Sequence, residues 1–134
     1  MIFLDTNVLS ESLRKSPDAA VIAWLVRNDA ELALSTLTIA EIAFGISKIR
    51  PNQRAVRLEL GLSAWRHRFA DRIFGLTEAA ALAYGDIMGA AVRRGHPMRA
   101  PDGMNAAIAR INGAQLATRN LRDFKTTGLS LVCP

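Results

Sequence analysis

One cysteine, Cys133, stands among 134 residues. That excludes an internal disulfide framework and any cysteine-rich zinc site, and it fits a reducing compartment. No stretch nears the ~18 unbroken apolar residues that span a bilayer. The longest apolar run is Ala19 to Val26, and it lies inside an amphipathic pattern. The start, Met1-Ile-Phe-Leu-Asp5, has no basic region and too short an apolar segment for a signal peptide. The expected protein is therefore soluble and cytoplasmic. No internal repeat, low-complexity tract or linker is present. GxGxxG, P-loop, GxSxG and HExxH patterns are all missing, which argues against nucleotide, serine-hydrolase and zincin chemistry. His67 and His96 each stand alone among arginines and read as parts of a solvated basic face.

What remains is a chain of one-domain length, residues 1–134, half of it hydrophobic and able to bury a core unaided. Lys and Arg number 17 and Asp and Glu 12, for a formal charge of +5. A polyanion is a natural partner for such a balance, because cations that meet phosphates release counterions. The cations are 14 Arg and only 3 Lys. Arg grips phosphate bidentately, but GC-rich codon usage also enriches Arg and Ala together. The Arg excess alone therefore decides nothing.

Apolar periodicity divides the chain into alternating strands and helices. Met1 to Leu4 is a short strand that stops at Asp5-Thr6-Asn7. Ser16-Pro17 reads as a helix start, with Ala19, Val21, Ile22, Leu25 and Val26 on one face. Leu32 to Ser35 is a second strand. Thr38 opens a helix to about Ile49, and another runs from about Arg54 to Phe69. Arg72 to Leu76 is a short strand. Thr77-Glu78 caps a helix that ends near Gly95, and Pro101-Asp102 starts one that ends at Asn112-Gly113. Gln115 to Thr118 and Leu129 to Val132 complete the strands. Trp24 and Trp65 read as core or as a subunit interface, and Phe44 and Ile46 are grouped with them. This alternation predicts an α/β fold with a mainly parallel twisted sheet flanked by helices. Ligands of such sheets bind beyond the carboxyl ends of the strands, near a topological switch point.

Acidic residues occupy those positions. Asp5 ends the first strand. Glu41 lies in the first turn of the helix after the second, Asp102 in the first turn of a late helix, and Asn120 and Asp123 just after the strand Gln115 to Thr118. Carboxylates brought together on one rim repel, which raises a pKa or demands a cation. Mg²⁺ or Mn²⁺ answers that demand through oxygen ligands and waters, and can promote in-line displacement at a phosphate. Each acid also has a structural role available. Asp5 can cap a helix beginning near Asn7, Thr38 to Glu41 matches a capping box, Asp102 suits a helix N-terminus, and Asp123 can cap the turn at Phe124. Asp86 falls in mid-helix, away from any strand end, and stays outside the site.

The motifs at these residues resemble those of the PIN-domain ribonucleases, and among them the VapC-type toxins of toxin–antitoxin pairs, including the FitB-like branch. They are Leu4-Asp-Thr-Asn-Val-Leu-Ser-Glu11, Ser35-Thr-Leu-Thr-Ile-Ala-Glu-Ile42, Pro101-Asp-Gly-Met-Asn-Ala-Ala-Ile-Ala109, Thr118-Arg-Asn-Leu-Arg-Asp-Phe124 and Gly128-Leu-Ser-Leu-Val-Cys-Pro134. The resemblance implies a metal-dependent endoribonuclease using Mg²⁺ or Mn²⁺, with Asp5, Glu41 and Asp102 as its acidic triad. It also implies a homodimer, and a cognate antitoxin that blocks the site and links the complex to operator DNA. Two positions depart from the family pattern. Asn120 replaces a frequent fourth acid, leaving Asp123 as a possible substitute. Asn105 replaces an apolar residue three positions after Asp102, on a similar helix face, and becomes a candidate contact to substrate or metal water. Arg119 and Arg122 flank the site in sequence and are expected to bind RNA backbone. A non-catalytic nucleic-acid or antitoxin-binding module with a weakened site is the alternative from another class. A receiver-like phospho-acceptor domain is a third; Lys125 is its only candidate lysine, at an unsuitable spacing.

Overall fold

The computed structural model describes residues 1–134. Five parallel strands, β1 (Ile2–Leu4), β2 (Leu32–Ser35), β3 (Ile73–Phe74), β4 (Gln115–Ala117) and β5 (Leu131–Val132), form one sheet in the order β3-β2-β1-β4-β5. The chain first winds outward from β1 through β2 to β3. It then crosses to the other side of β1 for β4 and β5, so the switch point lies between β1 and β4.

Residues along each strand alternate between two cores, as strand pleating requires. Ile2, Leu4, Leu32, Leu34 and Ala117 face helices α1 (Thr6–Ser12), α2 (Ala19–Arg27), α3 (Thr36–Ile49) and α4 (Gln53–Arg68). Phe3, Ala33 and Leu116 face helices α5 (Glu78–Arg93) and α6 (Ala100–Ile111). Both faces are covered, which explains why the first two strands are apolar without interruption. Phe3 meets Phe74 edge to face at 5.4 Å. Trp65 stacks on Phe69 at 5.0 Å, donates its indole N–H to Ser12 Oγ and packs, half-buried, against the core. Ile46 is buried, whereas Phe44 is 67% exposed.

Two helix starts differ from those expected. Helix α2 is capped not by Ser16 but by Asp18, whose Oδ1 accepts from Ala20 N; its own N–H donates to Glu11 Oε2, drawing the loop back onto α1. Helix α3 is capped not by Thr38 but by Ser35, whose Oγ accepts from Thr38 N at 3.1 Å. Thr38 instead donates to the Leu4 carbonyl, bracing α3 against β1. The buried backbone oxygen at the end of β1 takes the hydroxyl that the capping box would have used. Glu41 therefore sits in the second turn and caps nothing.

Helices α5 and α6 meet most tightly at Gly103, beside Asp102. A Cβ there would lie 2.4 Å from Met88 Sδ and 3.1 Å from its Cγ. A Cβ at Gly85 on α5 would meet nothing within 4 Å. Gly103→Val is expected to destabilise the protein by about 1–3 kcal/mol through overpacking. Gly85→Ala is expected to stabilise it by up to about 1 kcal/mol through helix propensity. Urea unfolding of the two variants checks both signs.

Candidate active site

Four backbone events bring the acids together. Strand β1 ends at Asp5, which caps α1 with extended backbone and accepts the Thr6 N–H at Oδ1. Its neighbour β4 ends at Thr118, whose hydroxyl donates to Asp5 Oδ2 at 2.8 Å. Helix α3 starts from the end of β2 and carries Glu41, whose Oε1 accepts from Thr6 Oγ1 at 2.6 Å. Helix α6 enters with Asp102 in its first turn. All four lie on the carboxyl side of the sheet, at or beside the β1/β4 switch point.

Asp5 is only 4% exposed. Burial raises its pKa, hydrogen bonds from Thr118 and Thr6 oppose that, and the charges of Glu41 and Asp123 add to it. Burial also raises the Asp102 pKa, to about 6. Asp5, Asp123 and Glu41 push in the same direction, and only Arg99 opposes. A helix N-terminus normally favours a carboxylate, so desolvation and like charge win over the helix dipole here. Arg99, whose backbone caps α6, also reaches Glu41 Oε2 at 3.8 Å. Asp123 thus acts electrostatically on buried Asp5 and half-buried Asp102 from the short helical turn Leu121–Phe124.

The other expected residues divide. Asn120 is exposed; its backbone N–H donates to Thr118 Oγ1, and its side chain makes no hydrogen bond to the acids. Asn105 makes no hydrogen bond to the acids. It is 2% exposed, accepts from Ser35 Oγ and donates to Thr38 Oγ1 at 3.4 Å, tying α6 to the start of α3 inside the core. An i+3 position near Asp102 suggested a shared face, but the buried hydroxyls of Ser35 and Thr38 need this amide. Arg119 does not stand free to meet a substrate. Its guanidinium bonds Glu11 Oε1 at 2.8 Å and approaches Asp18, and its backbone N–H donates to Asn7 Oδ1. Glu11 is buried, and its pKa is lowered first by the Asp18 N–H and then by Arg14 and Arg119. Arg122 is exposed and forms no salt bridge.

Sequence reasoning passed over Thr6, Asn7 and Thr118 as individual residues. Thr6 bridges to Glu41, while Asn7 Nδ2 and Thr118 Oγ1 both donate to Asp5 Oδ2. Their signal was position: polar residues directly after apolar strands, inside the quoted motifs. Arg99 left no such signal.

The donor set consists of hard carboxylate oxygens that repel one another, the chemistry a divalent cation relieves. No three Asp, Glu, His or Cys side chains stand close enough together to hold a metal ion by themselves, so a cation here would take one or two of these carboxylates and complete its shell with waters.

Asp102 holds its proton to about pH 6, above its unfolded value of 3.8. Between those values the native state binds the extra proton, so its stability falls as pH rises from about 4 to 6. Asp102→Asn removes that loss. It is expected to raise the melting temperature by a few degrees at pH 7.5, with the gain shrinking toward zero near pH 4. Mg²⁺ is expected to stabilise the parent at pH 7.5 and to stabilise Asp102→Asn less. Thermal melts across pH, with and without Mg²⁺, test the set.

Comparison with known proteins shows the family to which this sequence and fold are similar. The PIN domain family matches residues 2–128. The VapC ribonuclease Y4jK of Sinorhizobium fredii is 35% identical over 136 residues, covering 100% of this chain and 97% of that protein. The toxin FitB of Neisseria gonorrhoeae is 34% identical, covering 100% of this chain and 98% of its own. The crystal structure of FitAcB from that organism superposes with a TM-score of 0.91, covering 100% and 98% of the two chains at 34% identity. FitAB bound to the IR36 DNA fragment gives a TM-score of 0.88 at 34% identity, covering 98% and 93%. By the family match over residues 2–128, by sequence identity over its full length and by fold, the chain belongs to the PIN domain family.

Proposed function

We propose that this protein is the endoribonuclease toxin of a toxin–antitoxin pair, with Asp5, Glu41 and Asp102 holding Mg²⁺ or Mn²⁺ directly or through water. The observation that carries the reading is the acid cluster at the switch point, where Asp5 and Asp102 are held above their ordinary pKa by burial and by neighbouring carboxylates. Its likeness to a named ribonuclease and a named toxin supports the same reading. No helix is long and apolar enough to cross a membrane.

A divalent cation, when bound, acidifies the attacking water and offsets the charge that builds on the phosphate oxygens. The chain's own residues prepare for this. Thr118, Asn7 and the Thr6 N–H together occupy both Asp5 oxygens on one side and set the direction of their remaining lone pairs. Thr6 Oγ1 holds Glu41 Oε1, leaving Oε2 on the side of Arg99. Glu41 orients the attacking water, and Asp102 completes the negative charge that draws the cation in. Asp123 adds charge at longer range in place of the acid absent at Asn120. Arg99 is close enough to Glu41 to meet a phosphate entering the site.

FitAB was solved bound to DNA. By analogy, an antitoxin binds this protein, blocks the acids and carries it to operator DNA, and two toxin copies pair. The exposed Phe44, Val56 and Leu60 on α3 and α4, and Leu82 and Val92 on α5, offer apolar surface for such contacts.

A mixed RNA pool with Mg²⁺, with Mn²⁺ and with EDTA is the direct assay. Cleavage is expected with either metal and none with EDTA. Glu41→Gln keeps an acceptor for Thr6 and so the fold, yet is expected to lower the rate by roughly 100-fold or more. Asp5→Asn with Asp102→Asn is expected to abolish it. EDTA-resistant cleavage, or full activity in a folded Glu41→Gln protein, contradicts the proposal.

A further inference from the structure

A large groove on the surface leads away from the acids. It measures about 770 Å³ and runs between α1, the loop after it, α3 and the first half of α4. One end is formed by Thr6, Asn7 and Glu41, the same residues that orient the site. Its lining carries five cations, Arg14, Lys15, Lys48, Arg54 and Arg57, all exposed. Only two acids share it. One is Glu41; the other is Glu11, already paired with Arg14 and Arg119. Lys15, Lys48, Arg54 and Arg57 form no salt bridge. Four unpaired cations crowded along one concave surface repel one another, and an anionic chain relieves that repulsion.

We propose that this groove is the path of the RNA backbone into the active site, with Lys48, Arg54 and Arg57 as its phosphate contacts; the assignment rests on the ribonuclease reading above. From Glu41 to Lys48, α3 rises about 10 Å. That exceeds the distance between neighbouring phosphates of a single strand, so a strand held at Lys48 can place a following phosphate at the carboxylates. No aromatic side chain lines the groove, so it offers no stacking platform for bases. Its contacts are to backbone, which set position rather than sequence. The role expected of Arg119 passes to these residues because Glu11 and Asp18 already hold that guanidinium. The apolar floor around Ile42 and Ile46 also suits an amphipathic protein segment, and the unpaired cations favour RNA over it.

The test uses the full chain made inert by Asp5→Asn and Asp102→Asn, with a fluorescent single-stranded RNA of mixed sequence. Binding is followed by anisotropy over about 50–200 mM KCl. Adding Lys48→Ala, Arg54→Ala and Arg57→Ala is expected to weaken binding roughly tenfold or more at the lower salt. The salt slope is expected to fall by roughly 2, at about 0.7 per lost phosphate contact. Arg27→Ala, Arg66→Ala and Arg93→Ala remove the same charge elsewhere and are expected to leave the slope nearly unchanged. Gly45→Met adds bulk to the groove where a Cβ meets nothing within 4 Å. It is expected to weaken binding severalfold with little change in slope. Equal losses in both triple variants, or parent-like binding by Gly45→Met, overturn the groove. So does a groove variant that keeps RNA affinity but loses a co-expressed antitoxin. Cleavage by the unsubstituted chain is scored beside these measurements. Cleavage with an unchanged slope removes the groove alone. A fallen slope without cleavage removes the nuclease reading and keeps the groove as an RNA site.

Discussion

The hydrogen bond from Thr118 to Asp5 joins two residues 113 positions apart, at 2.8 Å, across the β1/β4 pair. The rest of the site depends on it. It exists only because the chain leaves β1 in one direction, builds β2 and β3, and returns on the other side. At that reversal the connections diverge and leave the strand ends open above the sheet. Asp5 stands there as the cap of α1, so one carboxylate both starts a helix and anchors the acid cluster. The same strand end holds α3 through the bond from Thr38 to the Leu4 carbonyl, and α3 carries Glu41.

This arrangement works against stability. Buried carboxylates that raise one another's pKa oppose folding wherever they are ionised. The surrounding hydrogen bonds limit that cost. Asp5 accepts three, Glu41 accepts one from Thr6, and no buried side-chain nitrogen or oxygen lacks a partner. Glu11 shows the opposite arrangement a short distance along α1. There a carboxylate has two arginines and a backbone amide, and its pKa falls. One acid is neutralised within the chain and serves structure. The others are left without sufficient counter-charge, which is the condition for attracting a cation from solution. The net charge of +5 averages over this negative centre and the cationic groove beside it.

Much of this could be read from the residues in order. The strand ends, the α/β alternation and the placement of Asp5, Glu41 and Asp102 follow from local apolar runs and from where polar residues interrupt them. Local rules failed where a side chain had a distant partner. Thr38 looked like a cap because its spacing to Glu41 fits one, but the Leu4 carbonyl, 34 residues away, takes its hydroxyl. Asn105 looked like a site residue by helix periodicity, but the buried hydroxyls of Ser35 and Thr38 claim it. Arg119 looked free because sequence proximity does not reveal Glu11, 108 residues away. Arg99 and the α1/α3/α4 groove were illegible for the same reason: both are products of packing between elements distant in the chain.

The central claim is that these carboxylates form a site for a divalent cation. Proton release on Mg²⁺ binding tests it most directly, by calorimetry in buffers of different ionisation enthalpy. Asp102 titrates at about pH 6, so binding at that pH should expel about half a proton from this group, and at pH 8 close to none. Binding with that pH dependence supports the account. No binding, or binding at pH 6 that releases no proton, contradicts it.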